Sequence, residues 1–313
     1  MAEGDTANAA AALADINLFP SVPDRLQQAM LNTMFLGRLL TNVDGLGSAQ
    51  QFQTTGGANM LNNAQAYYDG NSQGAIFGGA VTAVSNQWTK AVLGVGGMNY
   101  STLLDRSVDF NRFLPILEGA YPSSIDQQLV FGVLQMLWDR GETSGYVQHL
   151  TDRAYDRTPK HQVLMTVAFG DHQVATITAD NIARTLKLPI YEPTLPKKTE
   201  PMQGVTTSQN DFFYNLGPIR KFPLDGSALY YWYQGTLAPP LGNITPEMSA
   251  AYQAQCQGAA AKTERQCEDP HEMPRRQPQV IAQKKAFFQD EGVITNVCKD
   301  EPCLGKPRSE FDY

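Results

Sequence analysis

Residues 64–84, AQAYYDGNSQGAIFGGAVTAV, decide the fold. Residues 64–68 form a short apolar run that reads as a strand. The run breaks into DGNSQG, and residues 75–84 are small and apolar, the composition of a helix packed closely on a sheet. Gly70-Asn71-Ser72-Gln73-Gly74 therefore lies between a strand and a helix and matches G-x-S-x-G, the pattern of a nucleophile elbow. In such a turn the Ser72 hydroxyl projects above the sheet at a helix N-terminus, where the helix dipole favours a developing anion. The N–H of Gln73 would supply one oxyanion donor. The flanking glycines let neighbouring backbone approach without a Cβ clash. The plainer alternative is an ordinary Gly/Ser turn. Ala75, Gly78, Gly79 and Ala80 weigh against it, because close helix packing is not needed after such a turn.

Working outward, residues 91–95 read as a buried strand ending in GVGG. Residues 163–169, VLMTVAF, form the strongest strand pattern, an uninterrupted apolar run of the kind buried on both faces. Residues 228–233, ALYYWY, make a further strand. Helical patterns fill 24–43, 101–150, 177–188 and 278–288, and in the first of these Leu26, Met30, Met34, Leu36 and Leu40 recur at helical spacing after Asp24. Residues 189–226 and 234–270 are polar and proline-rich excursions. Strands alternating with helices predict an α/β layered fold with a mostly parallel sheet flanked by helices.

A serine hydroxyl needs a base, and the base needs an orienting acid. The chain has four histidines, His149, His161, His172 and His271. His271 stands out because it lies in a loop after the last expected strand, flanked by Asp269, Pro270 and Glu272. For the acid, Asp171 follows directly on the strongest strand, at the sheet edge where open α/β sheets place their sites. Its plainer role is to cap the next turn. Asp105, Asp139 and Asp180 compete but lie within helical or loop stretches.

The chain order Ser72, Asp171, His271 is that of α/β hydrolases. On GNSQG, AFGDHQV and EDPHE, over residues 60–290, the sequence resembles the α/β-hydrolase superfamily, in particular bacterial serine esterases and lipases. The resemblance implies ester hydrolysis through an acyl-enzyme. It also implies a helical cap at 101–150, where Met136, Leu137 and Trp138 read either as acyl-pocket walls or as ordinary packing. The chain divides accordingly into a helical N-terminal segment 1–60, a core 61–290 with the cap insertion, and a Cys-containing tail 291–313. Two departures follow. The family places several strands before the elbow, and residues 1–60 show none, so the sheet is expected to be N-terminally shortened and short of one oxyanion donor. The interval from Asp171 to His271 is also long for the family, and the polar excursions fill it.

Composition bounds the function. With 42% hydrophobic and 18% charged residues the chain is globular, and a net charge of −7 without a basic run disfavours nucleic acid and anionic membranes as partners. No apolar stretch is long enough to span a bilayer, and residues 1–15 carry no secretory signal pattern. Cys256, Cys267, Cys298 and Cys303 lie late in the chain, and two short-loop disulfides, Cys256 with Cys267 and Cys298 with Cys303, are favoured over free thiols or a metal site. Disulfides point to an extracellular or periplasmic location. No motif calls for a cofactor or a metal. The sequence thus predicts a serine carboxylic ester hydrolase acting on small or polymeric esters. The alternative is a non-catalytic or truncated α/β-hydrolase-like binding protein.

Overall fold

The computed structural model describes residues 4–61, 65–196, 213, 216–236, 242–245, 248 and 267–311. Its centre is a sheet of four parallel strands, β1 (Tyr68–Asn71), β2 (Lys90–Gly94), β3 (Gln162–Ala168) and β4 (Ala228–Trp232), placed side by side in chain order. The register pairs Tyr68 with Ala91, Lys90 with Gln162 and Leu164 with Ala228. The first strand lies further along the chain than its apolar run suggests. Pairing with β2 recruits Asp69, Gly70 and Asn71, whose composition alone says turn. Of the expected run, Ala64 lies outside the described residues.

Side chains alternate across the pleat, as a sheet covered on both faces requires. Ala91, Leu93, Val163, Met165, Val167, Leu229 and Tyr231 face one layer, which holds helix α3 (Gln73–Val84) and a second helix, Thr176–Leu186. Val92, Leu164, Ala168, Tyr230 and Trp232 face the other, where Val280 and Phe287 of the helix Pro278–Phe287 pack with Met273, Ile294 and Cys303. This is an α/β fold with a parallel sheet and flanking helices. Helices α1 (Asp5–Ala14) and α2 (Ser21–Thr41) precede the sheet. On α2 the buried positions are Pro23, Met30 and Gly37, while Leu36 is exposed. Helices α4 (Tyr100–Leu103), α5 (Leu114–Ala120) and α6 (Ser124–Trp138) fill the interval between β2 and β3. With α7 as Thr176–Leu186 and α8 as Pro278–Phe287, the order is complete for the described residues.

Residues before the sheet share a core with those between β2 and β3: Leu13 and Phe19 pack with Leu117, Phe131, Leu134 and Trp138. Trp138 meets Phe19 edge-on and Tyr100 at 4.8 Å, so it fills this core, and Met136 faces outward. The outer edge of β4 is covered by Ile190 beside Leu229 and by Leu304 beside Tyr233. Among the described residues no strand pairs with the outer edge of β1. Cys298 and Cys303 form a disulfide that closes the tail loop, which is compatible with an oxidising compartment. Cys267 is also disulfide-bonded, and Cys256 lies outside the described residues. No described helix is long and apolar enough to cross a membrane.

Close seating of α3 on the sheet is the feature most open to test. A Cβ at Gly78 would run into the Tyr68 ring and Leu93. Gly78→Leu should therefore lower stability by about 1–3 kcal/mol, despite a helix-propensity gain of under about 1 kcal/mol. A urea titration would read this as a lower midpoint at an unchanged slope. Wild-type stability would mean that α3 stands further from the sheet.

Candidate active site

All four strands run the same way, so their C-terminal ends share one edge of the sheet. Ser72 follows β1 at that edge with φ 57° and ψ −125°. A non-glycine residue rarely holds this backbone conformation, which costs on the order of 1–3 kcal/mol. The surroundings enforce it. The Ser72 N–H donates to the Gly94 carbonyl at 2.9 Å, while its own carbonyl accepts from Ala75 and Ile76 and starts α3. A Cβ at Gly70 would strike the Gly74 carbonyl, so this glycine is required by close approach. Gly74 has open space at the same position, so its Cβ-free approach is not what the turn uses. Its carbonyl accepts instead from the Tyr68 hydroxyl at 2.6 Å. The N–H of Gln73 belongs to the first turn of α3, whose N–H groups have no partner within the helix.

Asp171 follows β3 after Gly170, whose φ of 88° turns the chain sharply. Its side chain is fully buried. One carboxylate oxygen accepts from the N–H groups of Gln173 and Val174, both at 2.8 Å. The other accepts from Nδ1 of His271 at 2.8 Å. His271 sits in a short turn, Pro270–Glu272, and is only 2% exposed. A neutral imidazole that donates from Nδ1 keeps its lone pair on Nε2, the arrangement of a base. Burial alone would lower the His271 pKa; the Asp171 carboxylate and then Asp269 override it, and the net shift is upward.

The structure thus joins Asp171 to His271 and sets Ser72 and Gln73 at the end of β1, two strands from β3 along the same edge. The Ser72 hydroxyl is not hydrogen-bonded to the His271 ring here. The other histidines are engaged elsewhere. His149 stacks on Tyr155, buried His161 contacts the Ser85 carbonyl, and His172 contacts the Ile244 carbonyl. Among the competing acids, Asp180 is buried in α7 and accepts from the Tyr231 hydroxyl at 2.6 Å. Burial pushes its pKa up to about 7.

Four residues that sequence reasoning did not place at the site belong to it. Asp269 accepts N–H groups from both His172 and His271. Asp109, exposed at the surface, lies close enough to feel the Asp171 and His271 charges; partial desolvation raises its pKa, with the His271 charge opposing and Asp171 adding to the rise. Tyr100 donates its hydroxyl to Oε1 of Gln73 at 2.8 Å. Glu142, fully buried, accepts the Tyr100 N–H at 2.9 Å and Nε2 of Gln135 at 2.7 Å. This last network ties α4 and α6 beside the elbow. Only the proximity of Asp269 to His271 in sequence hinted at any of the four.

Among the described residues no cluster of His, Cys, Asp and Glu has the arrangement to hold a metal ion. A polar hollow lined by Lys90, Gln162, Asp225 and Asp290 lies at the N-terminal edge of the strands, away from the elbow. Its Lys90 amine is already committed to the Gln289 and Gly292 carbonyls, both at 2.8 Å. No protein-family model, curated protein or solved structure matches the chain.

Two outcomes follow from this geometry. Glycine relieves the Ser72 backbone, so Ser72→Gly should be more stable than Ser72→Ala by about 1 kcal/mol in chemical unfolding. Equal stabilities would mean that the serine backbone is not strained. Burial also pushes the Glu142 carboxyl up to about 7 from an ordinary value of 4.5. Between those values the folded protein holds a proton that the unfolded chain has released, so wild-type stability falls as pH rises through the window. Glu142→Gln lacks that penalty. Its stability relative to wild type should rise from pH 4.5 to 7, by on the order of 3 kcal/mol, and then level off. A pH-independent difference would remove Glu142 as the titrating group.

Proposed function

We propose that the protein is a serine carboxylic ester hydrolase of α/β-hydrolase type, with Ser72 as nucleophile, His271 as base and Asp171 as the orienting acid. The observation that carries this reading is the backbone of Ser72 at φ 57°, held at a strand-to-helix turn on the sheet edge that also bears the buried Asp171–His271 pair. Neighbouring strands lie about 4.8 Å apart, so β1 and β3 are separated by about 10 Å, room for an imidazole between hydroxyl and carboxylate. Serine–histidine contacts in such sites commonly close only around a bound substrate.

In the proposed reaction Ser72 Oγ attacks the ester carbonyl as Nε2 of His271 takes its proton. The Gln73 N–H, at the positive end of α3, holds the tetrahedral oxyanion. His271 then protonates the departing alkoxide, leaving an acyl-serine that water hydrolyses by the same route in reverse roles. Asp171 fixes the Nδ1–H tautomer and stabilises the imidazolium. In this reading helices α4–α6, inserted between β2 and β3, serve as the cap, and the substrate is a small or polymeric ester. The disulfide supports an extracellular or periplasmic setting. A non-catalytic binding role is the second reading, favoured by the unpaired outer edge of β1 among the described residues and the single oxyanion donor identified.

A fluorophosphonate probe separates the two. The catalytic reading predicts stoichiometric labelling of wild type, none of Ser72→Ala, and p-nitrophenyl ester turnover reduced by at least about 10³-fold in that variant. A folded Ser72→Ala protein with wild-type turnover would exclude Ser72 as the nucleophile. Rates on ester, amide and thioester forms of one acyl group would define the bond cleaved.

A further inference from the structure

The His271 loop is held by a second carboxylate besides Asp171. One oxygen of Asp269 accepts the His271 N–H at 3.1 Å and the His172 N–H at 3.3 Å. Its other oxygen accepts Nε2 of Gln173 at 3.2 Å. Gln173 in turn gives its backbone N–H to Asp171 at 2.8 Å. Asp269 therefore grips both the segment that carries the acid and the turn that carries the histidine. A helix cap needs only the local N–H of His271. The contacts to His172 and Gln173, nearly a hundred residues away in sequence, exceed that need.

We propose that Asp269 is a positioning residue, whose carboxylate locks the His271 turn to the Asp171 segment and supplies a second negative charge to the imidazole. The proposal rests on the ester-hydrolase reading for its catalytic consequence, though not for the linkage itself. Several charged groups act on His271. Asp171 comes from the segment after β3, Asp109 from the interval between β2 and β3, and Asp269 and Arg275 from its own loop. Arg275 also pairs with Glu272, at 3.3 Å. Removing the Asp269 charge leaves Asp171 and Asp109 opposed by Arg275, so the imidazolium is less stabilised.

The test uses the full chain with isotope-labelled histidine, and His271→Gln assigns the resonance. Asp269→Asn keeps an oxygen acceptor and cap competence while losing the charge, and Asp269→Ser serves if the asparagine variant does not fold. The expected result is a His271 pKa below that of wild type by NMR titration, the acid limb of kcat/KM moving the same way, and kcat lower by about 10–100-fold with little change in KM. A cap without a positioning role would leave the titration unchanged. Wild-type His271 titration in a folded variant, with ester turnover intact, would overturn the proposal and leave the hydrolase reading standing. A lowered His271 pKa in a protein that neither labels nor turns over esters would support the linkage and sink the hydrolase reading.

Discussion

The hydrogen bond between Asp171 and His271 is the constraint around which the molecule is arranged. Its partners are 100 residues apart in the chain and both are almost completely buried. A carboxylate removed from water is costly unless its oxygens are satisfied. Here every requirement is met locally: two backbone N–H groups on one oxygen and the imidazole on the other. To deliver that imidazole, the chain must leave β4, pass through a long excursion, and return in a turn capped by Asp269.

The opposite end of the same edge is set by packing rather than by charge. The helix after Ser72 is seated so closely that Tyr68 and Leu93 occupy the space a side chain at Gly78 would need. Tight seating is what the small residues of α3 provide, and it leaves the elbow little freedom to relax. The positive φ of Ser72 is thus held by its bonds to the end of β2 and the first turn of the closely seated α3, while the cost is concentrated at one residue. Tyr68 contributes twice, through its ring beneath α3 and through its hydroxyl on the Gly74 carbonyl.

Much of the sheet was legible because burial on both faces writes a continuous apolar run. The strands at 162–168 and 228–232 follow the pattern within a residue. The first strand was legible only in part. Asp69, Gly70 and Asn71 are strand residues because β2 pairs with them, which no local propensity records. At the site, motif and strand order pointed to Ser72, Asp171 and His271, since turn chemistry and position at a strand end are written locally. Asp269, Glu142 and Tyr100 were not legible in that way. Each acts through partners distant in sequence, such as Glu142 on the Tyr100 N–H, and an isolated buried acid has no periodicity that marks it. Trp138, which the sequence left open between an acyl-pocket wall and ordinary packing, packs edge-on against Phe19, a contact 119 positions back.

Two carboxylates, Asp171 and Asp269, hold one imidazole turn, with exposed Asp109 near enough to add its charge, and desolvation raises the pKa of Asp109 and Asp269. Such crowding is unfavourable in itself, since like charges at short range in a dry site disfavour joint ionisation. It becomes favourable whenever the imidazole is protonated. An ester hydrolase meets that condition at the step where its base holds the serine proton, so the same crowding that costs stability at rest would stabilise the charged intermediate. The carboxylate released on deacylation would enter the field of these same groups once the imidazole returns to neutral, and repulsion would assist its departure. The arrangement that makes the resting site expensive is therefore the one that the proposed cycle uses at both its ends.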